Sequence, residues 1–389
     1  INAFKFFAGK LQNLDDEKLL ATRDALIGIG YVNIISSTDE DSYTIFEILN
    51  ARGLDLEDHE LLKNYIMRYL QPKERRDDAK RIWEEIENNL GSSIDDFLRH
   101  YALHKYNYNN DKKQSISVYK SLQNATRGRN VDKLLDDIKL KSDYYTAFIN
   151  QTNCLPKEKE VFMFFKTKRV VVFRPLLLSL RHLLSLEIIS ENRYLEILNF
   201  IYNFYICYKI IGQENSNMLS DTVYKYAYVL ETNFSDDNLE EFLKNMRSKL
   251  PTLEAFTNSF KNIGYSHCWP IYSDSKCKDR CQLVLNLIEK YISNRDVNLE
   301  VTIEHILPDS NGIENAQIGN LFLLEENLNR RCKNKSLEDK YNIYNESALM
   351  CPKGFVQRYK GKTFNPVSRT EFLSKLIYNN ILGIPDEQN

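Results

Sequence analysis

Between about residue 74 and residue 262, apolar residues recur at helical spacing almost without interruption, and this restricts the fold more than any other feature. Ile82, Trp83 and Ile86 share one face, as do Phe97, Leu98 and Tyr101, and later Ile197, Phe200, Ile201, Phe204 and Ile211. Residues 170–186 are strongly apolar, broken by Arg174, Pro175, Arg181 and His182. Polar breaks fall at residues 107–114, 126–130 and 213–220. Only 13 Gly and 9 Pro in 389 residues is too few for a turn-dense all-β architecture. A mainly α chain with small β elements is expected.

The texture changes after about residue 263. Asn298-Leu299-Glu300-Val301-Thr302-Ile303 alternates with period two, a strand signal. Glu304-His305-Ile306-Leu307-Pro308 closes it, because Pro308 has no N–H to donate to a ladder. A polar loop then runs to Gly319-Asn320, the apolar run Leu321-Phe322-Leu323-Leu324 follows, and helical texture resumes from Glu325. At the other end, residues 31–36 read as a short strand. Asp39 or Ser42 would cap a helix carrying Ile45, Ile48 and Leu49 and stopped by Gly53. A further amphipathic helix carries Leu61, Leu62, Tyr65, Ile66 and Tyr69.

Composition narrows the function classes. With 52 Lys plus Arg against 54 Asp plus Glu, the net charge of −2 excludes an obligate polycation, so nucleic acid must be met by local patches. Seven cysteines with no secretory segment ahead of them read as reduced thiols, and a cytoplasmic location is expected. The longest uncharged apolar stretch, residues 197–208, is about half of a membrane span, so no membrane partner is expected. The opening Ile1-Asn2-Ala3 starts mid-pattern and suggests part of a longer protein.

The chemistry-bearing residues gather in the strand–loop–strand–helix stretch. Glu304 and His305 are followed by Asn320 fifteen residues after the histidine, and by Asn329 nine later. This is the layout of a ββα-metal nuclease finger of the His-Asn-His/Asn (HNH) class. Hydrolysis of a phosphodiester needs water deprotonated near neutral pH, which an imidazole can do. It also needs a hard cation to take up charge growing on phosphate and leaving oxygen. On this reading His305 is the general base, Glu304 and Asn329 hold Mg²⁺ (with Mn²⁺ as a substitute), and Asn320 holds the histidine ring or its loop. A strict pleat would send Glu304 and His305 to opposite faces, so the strand is expected to end or bend there.

Arg330, Arg331, Lys333 and Lys335 form the dense basic cluster beside this site, readable as a solvated helix face or as DNA-phosphate contacts. Arg127 and Arg129, flanking Gly128, are a secondary candidate for DNA contact. His267, Cys268, Cys277 and Cys281 invite a zinc reading, but no second ligand pair completes it, and Cys277, Cys281 and Val284 read better as an apolar helix stripe. Cys207 reads as core. His59, His100, His104 and His182 read as packed or solvated, and Asn50, Arg52, Gly53, Lys63 and Asn64 as structural more readily than as nucleotide-sensing.

These motifs carry a resemblance. Glu304-His305-Ile306-Leu307-Pro308, Gly319-Asn320-Leu321-Phe322-Leu323-Leu324, Asn327-Leu328-Asn329, Asn334-Lys335-Ser336 and Lys340-Tyr341 resemble the nuclease domain of GmrSD-type, modification-dependent (type IV) restriction proteins. The finger is also similar to those of CRISPR effector nucleases, and the whole to phosphorothioate-sensing antiphage nucleases. Asp309 stands where Gln is usual, and the last His of the class name is Asn. Ser368-Arg369-Thr370 precedes a closing helix in the family. Ile45-Phe46-Glu47-Ile48-Leu49-Asn50-Ala51-Arg52-Gly53-Leu54-Asp55-Leu56 with Leu61-Leu62-Lys63-Asn64 resembles the end of a ParB/sulfiredoxin-like nucleotidase domain, and Phe97-Leu98-Arg99-His100-Tyr101 its helical middle region.

The resemblance implies three parts: residues 1–72 as the remnant of the nucleotidase domain, 73–262 as a helical middle domain, and 263–389 as the HNH domain with its finger at about 298–345. It implies a Mg²⁺-dependent DNA endonuclease of an antiphage restriction system, acting on modified phage DNA. The nucleotidase motif Asp-Gly-Gln-Gln-Arg would lie upstream of Ile1, so no nucleotide site is expected here and an upstream nucleotidase domain or subunit is the implied partner. Two alternatives stay open: a non-catalytic scaffold subunit with an idle finger, and a nuclease for structured RNA.

Overall fold

A computed structural model describes residues 2–31, 33, 35, 38, 41, 42, 45, 57–106, 118–333 and 335–384. They fall into two compact units, Ile1–Arg68 and Tyr69–Asn389. In the first, helices span Asn2–Leu11 and Asp16–Ile27. The second of these starts where the Asp15 carboxylate accepts the Lys18 N–H at 2.8 Å. The expected strand at 31–36 falls partly, and the helix ending at Gly53 mostly, outside the described residues; residues 31, 33 and 35 are in no strand. The next amphipathic helix forms as Asp58–Tyr69 and buries Leu62, Tyr65 and Ile66.

The second unit opens with a stack of helices. Arg174–Ser185 packs against Ser220–Thr232 and Ile94–Tyr106, and Arg76–Leu90 against Val131–Asn150. Pro175 does not break the apolar stretch, because it sits in the first turn of its helix, where no N–H is needed. Trp83, Phe97, Tyr101 and Tyr145 are fully buried, each worth about 1.5–3 kcal/mol of apolar transfer. Of the polar interruptions, His182 turns into a buried network centred on Glu231, while Arg181 pairs with Glu158 and Arg174 donates to Tyr145 OH. Glu231 accepts Lys141 Nζ at 3.0 Å, Lys105 Nζ at 3.2 Å and His182 Nδ1 at 3.0 Å, with His104 Nδ1 at 3.6 Å. Burial alone would raise the Glu231 carboxyl, but His104, His182 and the Lys141 charge outweigh it and hold it well below the usual range. Burial pushes His104 down to about 4 and His100 down to about 3.

The carboxyl-terminal part of this unit carries the finger. Strand β1 (Val301–His305) pairs antiparallel with β2 (Leu321–Glu325), Ile303 opposite Leu323. The strand starts later than the alternating pattern at 298, because Val301 already faces the last β2 residue, Glu325. A helix over Glu326–Cys332 packs on both strands, and Leu337–Glu346, capped by Ser336, packs on that helix. Ile306, Phe322, Leu324, Leu328, Tyr341 and Tyr344 close a core between them. Ser368-Arg369-Thr370 lies inside the helix Pro366–Lys375 and not ahead of it, because Asn365 supplies the cap by accepting the Ser368 N–H at 3.0 Å. The helix Ser275–Ser293 buries Cys281 and Val284. All seven cysteines are free thiols.

Candidate nuclease site

His305 is the last residue of β1, paired with Leu321. Its Nε2 lies 2.8 Å from the Tyr265 carbonyl oxygen. A carbonyl only accepts, so Nε2 carries the proton, and in the neutral ring the lone pair sits on Nδ1. The Tyr265 carbonyl is held there by a short pairing of its own segment. The Tyr265 N–H donates to Ala316 O and the Ile318 N–H to Ile263 O, each at 2.9 Å, with Gly264 opposite Gln317. Gly264 is required, since a Cβ would meet Ala316 O at 2.3 Å.

Asp309 ties the same segment to the loop after β1. Its carboxylate accepts Ser266 Oγ at 2.6 Å and its carbonyl accepts Trp269 Nε1 at 2.8 Å. Partial burial pushes the Asp309 carboxyl up, but the Ser266 hydrogen bond and the nearby imidazole outweigh it and leave it below the ordinary range. Asp309 Oδ2 is 3.9 Å from His305 Nε2, too long for a hydrogen bond.

Asn320 is fully buried and grips the loop, not the ring. Its Oδ1 accepts the Leu307 N–H at 2.9 Å, and its Nδ2 donates to Leu307 O at 2.8 Å and Asn315 O at 2.7 Å. Gly319 beside it is packed under the helix Pro366–Lys375: a Cβ would lie 2.0 Å from Pro366 O. Arg369 of that helix donates to Gly319 O at 2.7 Å and Leu321 O at 2.9 Å, and Thr370 Oγ1 accepts the Gly319 N–H at 3.0 Å.

Glu304 points to the other side of the sheet from His305. The strand runs regularly to His305, so the pleat separates the two side chains instead of bending to bring them together. Glu304 is 4% exposed, and its Oε1 accepts both Lys340 Nζ and Tyr344 OH at 2.8 Å. Burial and the Glu304 charge push the Tyr344 phenol far up, and likewise raise the Cys332 thiol to about 12. Asn329 joins this face: its Nδ2 donates to Thr302 Oγ1 at 2.8 Å and Ile303 O at 3.1 Å, and Thr302 shares the Glu304 face.

The structure therefore brings Glu304 and Asn329 to one face and sets His305 at the strand end on the other. Among the described residues no hydrogen bond reaches Glu304 Oε2 or Asn329 Oδ1. One carboxylate oxygen and one amide oxygen suit a hard divalent cation by donor type. Among the described residues no group of three or more His, Cys, Asp or Glu side chains gathers to hold a metal, so water and phosphate would complete such a shell.

The basic cluster divides. Arg330 is paired with Glu326, and Arg331 makes a two-pronged contact with Glu346 at 2.6 and 2.8 Å. Lys333 and Lys335 are exposed and hold no carboxylate among the described residues. Arg127 and Gly128 take positive φ in the turn after the helix Val118–Thr126. Sequence reasoning missed the roles of Tyr265, Ser266 and Tyr344. The signal for the last was the i, i+4 spacing of Lys340 and Tyr344 on one helix face.

Residues 251–364 match the family model described as GmrSD restriction endonucleases, C-terminal domain. The match contains the finger and leaves residues 1–250 outside it. No curated protein matches the chain. No helix among the described residues is long and apolar enough to cross a membrane.

Proposed function

The chain carries the C-terminal domain of the GmrSD-type restriction endonucleases, and from that premise we propose that it hydrolyses DNA phosphodiesters with His305 as general base. A restriction endonuclease role follows from the family; the HNH chemistry is the reading argued from the site. The observation that carries it is the Nε2–H donated to the Tyr265 carbonyl, which leaves Nδ1 of a one-fifth exposed imidazole as the proton acceptor at the end of the ββα hairpin.

Water approaching Nδ1 gives its proton to the imidazole as it attacks phosphorus in line with the 3′ oxygen; the P–O3′ bond breaks and the departing oxygen takes a proton from solvent, leaving a 5′-phosphate and a 3′-hydroxyl. Asn320 is a positioning residue: by clamping Leu307 it fixes the turn that follows the histidine. Mg²⁺ or Mn²⁺ held by Glu304 and Asn329 would supply charge stabilisation at the phosphate and leaving oxygen. Lys333 and Lys335 supply phosphate contact that is blind to sequence. The proposed substrate is modified phage DNA, and the proposed partner a nucleotidase domain or subunit.

Plasmid cleavage with Mg²⁺ or Mn²⁺, with gel-shift binding in parallel, tests the reading. His305→Ala should slow cleavage by about 10²–10⁴ while binding persists. Cutting at the wild-type rate would refute the assignment. Cleavage of structured RNA but not DNA would replace the substrate.

A further inference from the structure

We infer that Lys340 is the resident counter-ion of Glu304 and sets how tightly this face takes a divalent cation. The inference rests on the reading above for the place of the cation.

Lys340 is 6% exposed, and its ammonium reaches three acceptors: Glu304 Oε1 at 2.8 Å, His305 O at 2.7 Å and Ile306 O at 3.2 Å. An ammonium has three N–H donors, so this set is complete. The carboxylate gains Tyr344 OH as a second, neutral donor. A carboxylate this deeply buried is stable as an anion only when a charge of opposite sign stands beside it, and Lys340 is that charge. Glu304 is thereby paired and held in place before any cation arrives.

The same arrangement opposes the cation. A dication drawn to Glu304 Oε2 meets a carboxylate already neutralised and an ammonium on the neighbouring oxygen, in surroundings that screen charge poorly. Binding therefore requires the ammonium to yield part of its hold on Glu304. That movement is transmitted to the strand end, because the same ammonium holds the main-chain carbonyls of His305 and Ile306. Lys340 is thus a positioning residue acting through Glu304 on one side and through the backbone of the histidine on the other.

The test is Mn²⁺ binding to the full chain without DNA, by calorimetry and by the loss of the free-ion paramagnetic resonance signal. Lys340→Met should bind Mn²⁺ about tenfold more tightly or better, since a unit positive charge is removed from beside the ligand. Lys340→Gln, neutral but still a donor to the carbonyls, guards against misfolding and should move the same way. Tyr344→Phe, which changes no charge, should stay within about threefold of wild type. Equal or weaker Mn²⁺ binding by both neutral variants overturns the inference while leaving the cation site standing. Wild-type binding no better than that of a Glu304→Gln, Asn329→Ala variant removes the cation site and the inference together. Cleavage by His305→Ala is judged separately and bears on the nuclease reading alone.

Discussion

Asn320 holds Leu307 by both ends of its amide, accepting the N–H at 2.9 Å and donating to the carbonyl at 2.8 Å, so the turn after His305 is stapled to the foot of β2. Replacing Asn320 by Ala strands three main-chain groups, the part-buried N–H and carbonyl of Leu307 and the buried carbonyl of Asn315. A loss of about 2–4 kcal/mol in urea unfolding is expected. Cleavage should fall with no change in the Mg²⁺ concentration giving half-maximal rate. A shifted Mg²⁺ requirement would instead make Asn320 part of the cation site.

Gly319 is the tightest point of the finger. With a Cβ 2.0 Å from Pro366 O and 2.2 Å from Thr370 Oγ1, Gly319→Ala must push the helix Pro366–Lys375 away from the start of β2. We expect a loss of at least about 1–3 kcal/mol and a lowered melting temperature. Gly354→Ala, where nothing lies within 4 Å, is the control and should leave melting nearly unchanged. Equal melting for both would mean the contact relaxes freely.

The basic residues differ in their availability. Lys333→Ala and Lys335→Ala should each weaken DNA binding and flatten its dependence on the logarithm of salt concentration by roughly 0.9. Arg330→Ala and Arg331→Ala should do less, because Glu326 and Glu346 already occupy those guanidinium groups. Binding of all four variants at wild-type strength and salt slope would leave this face solvated and functionless in binding.

Stability of the helical stack should depend on acidity through His104. Burial depresses its folded pKa to about 4 from an ordinary 6.5. Between those values the unfolded chain takes a proton that the folded chain refuses, so the free energy of unfolding falls as pH drops. The urea midpoint should decline from pH 6.5 to pH 4, and less steeply in His104→Gln. An unaltered slope in that variant would remove His104 as the cause.

Much of this was legible in the residues. Helical periodicity located the stack, because one apolar face per helix is enough to place it. The order Glu304-His305, Asn320, Asn329 located the finger, because its strands and helix are local in sequence. Partners brought in from far along the chain were not legible. Nothing in Tyr265 signals that its carbonyl will receive the His305 proton, since a main-chain oxygen has no letter of its own. Glu304 read as a cation ligand at a strand end, with nothing local to say what would cover it; the helix Leu337–Glu346 does, and only the i, i+4 pair Lys340 and Tyr344 hinted at that. Arg369 read as preceding a helix, and it instead grips Gly319 and Leu321 from within one.

The proton on His305 Nε2 is secured forty residues upstream of the histidine, outside the stretch that forms the hairpin and its helix. Excising residues 298–345 and grafting them onto another scaffold would therefore carry over every side chain of the motif yet leave the imidazole free to spin and to exchange tautomers. A transplant that keeps this ring orientation must reach back at least to Ile263, whose carbonyl begins the pairing that holds Tyr265.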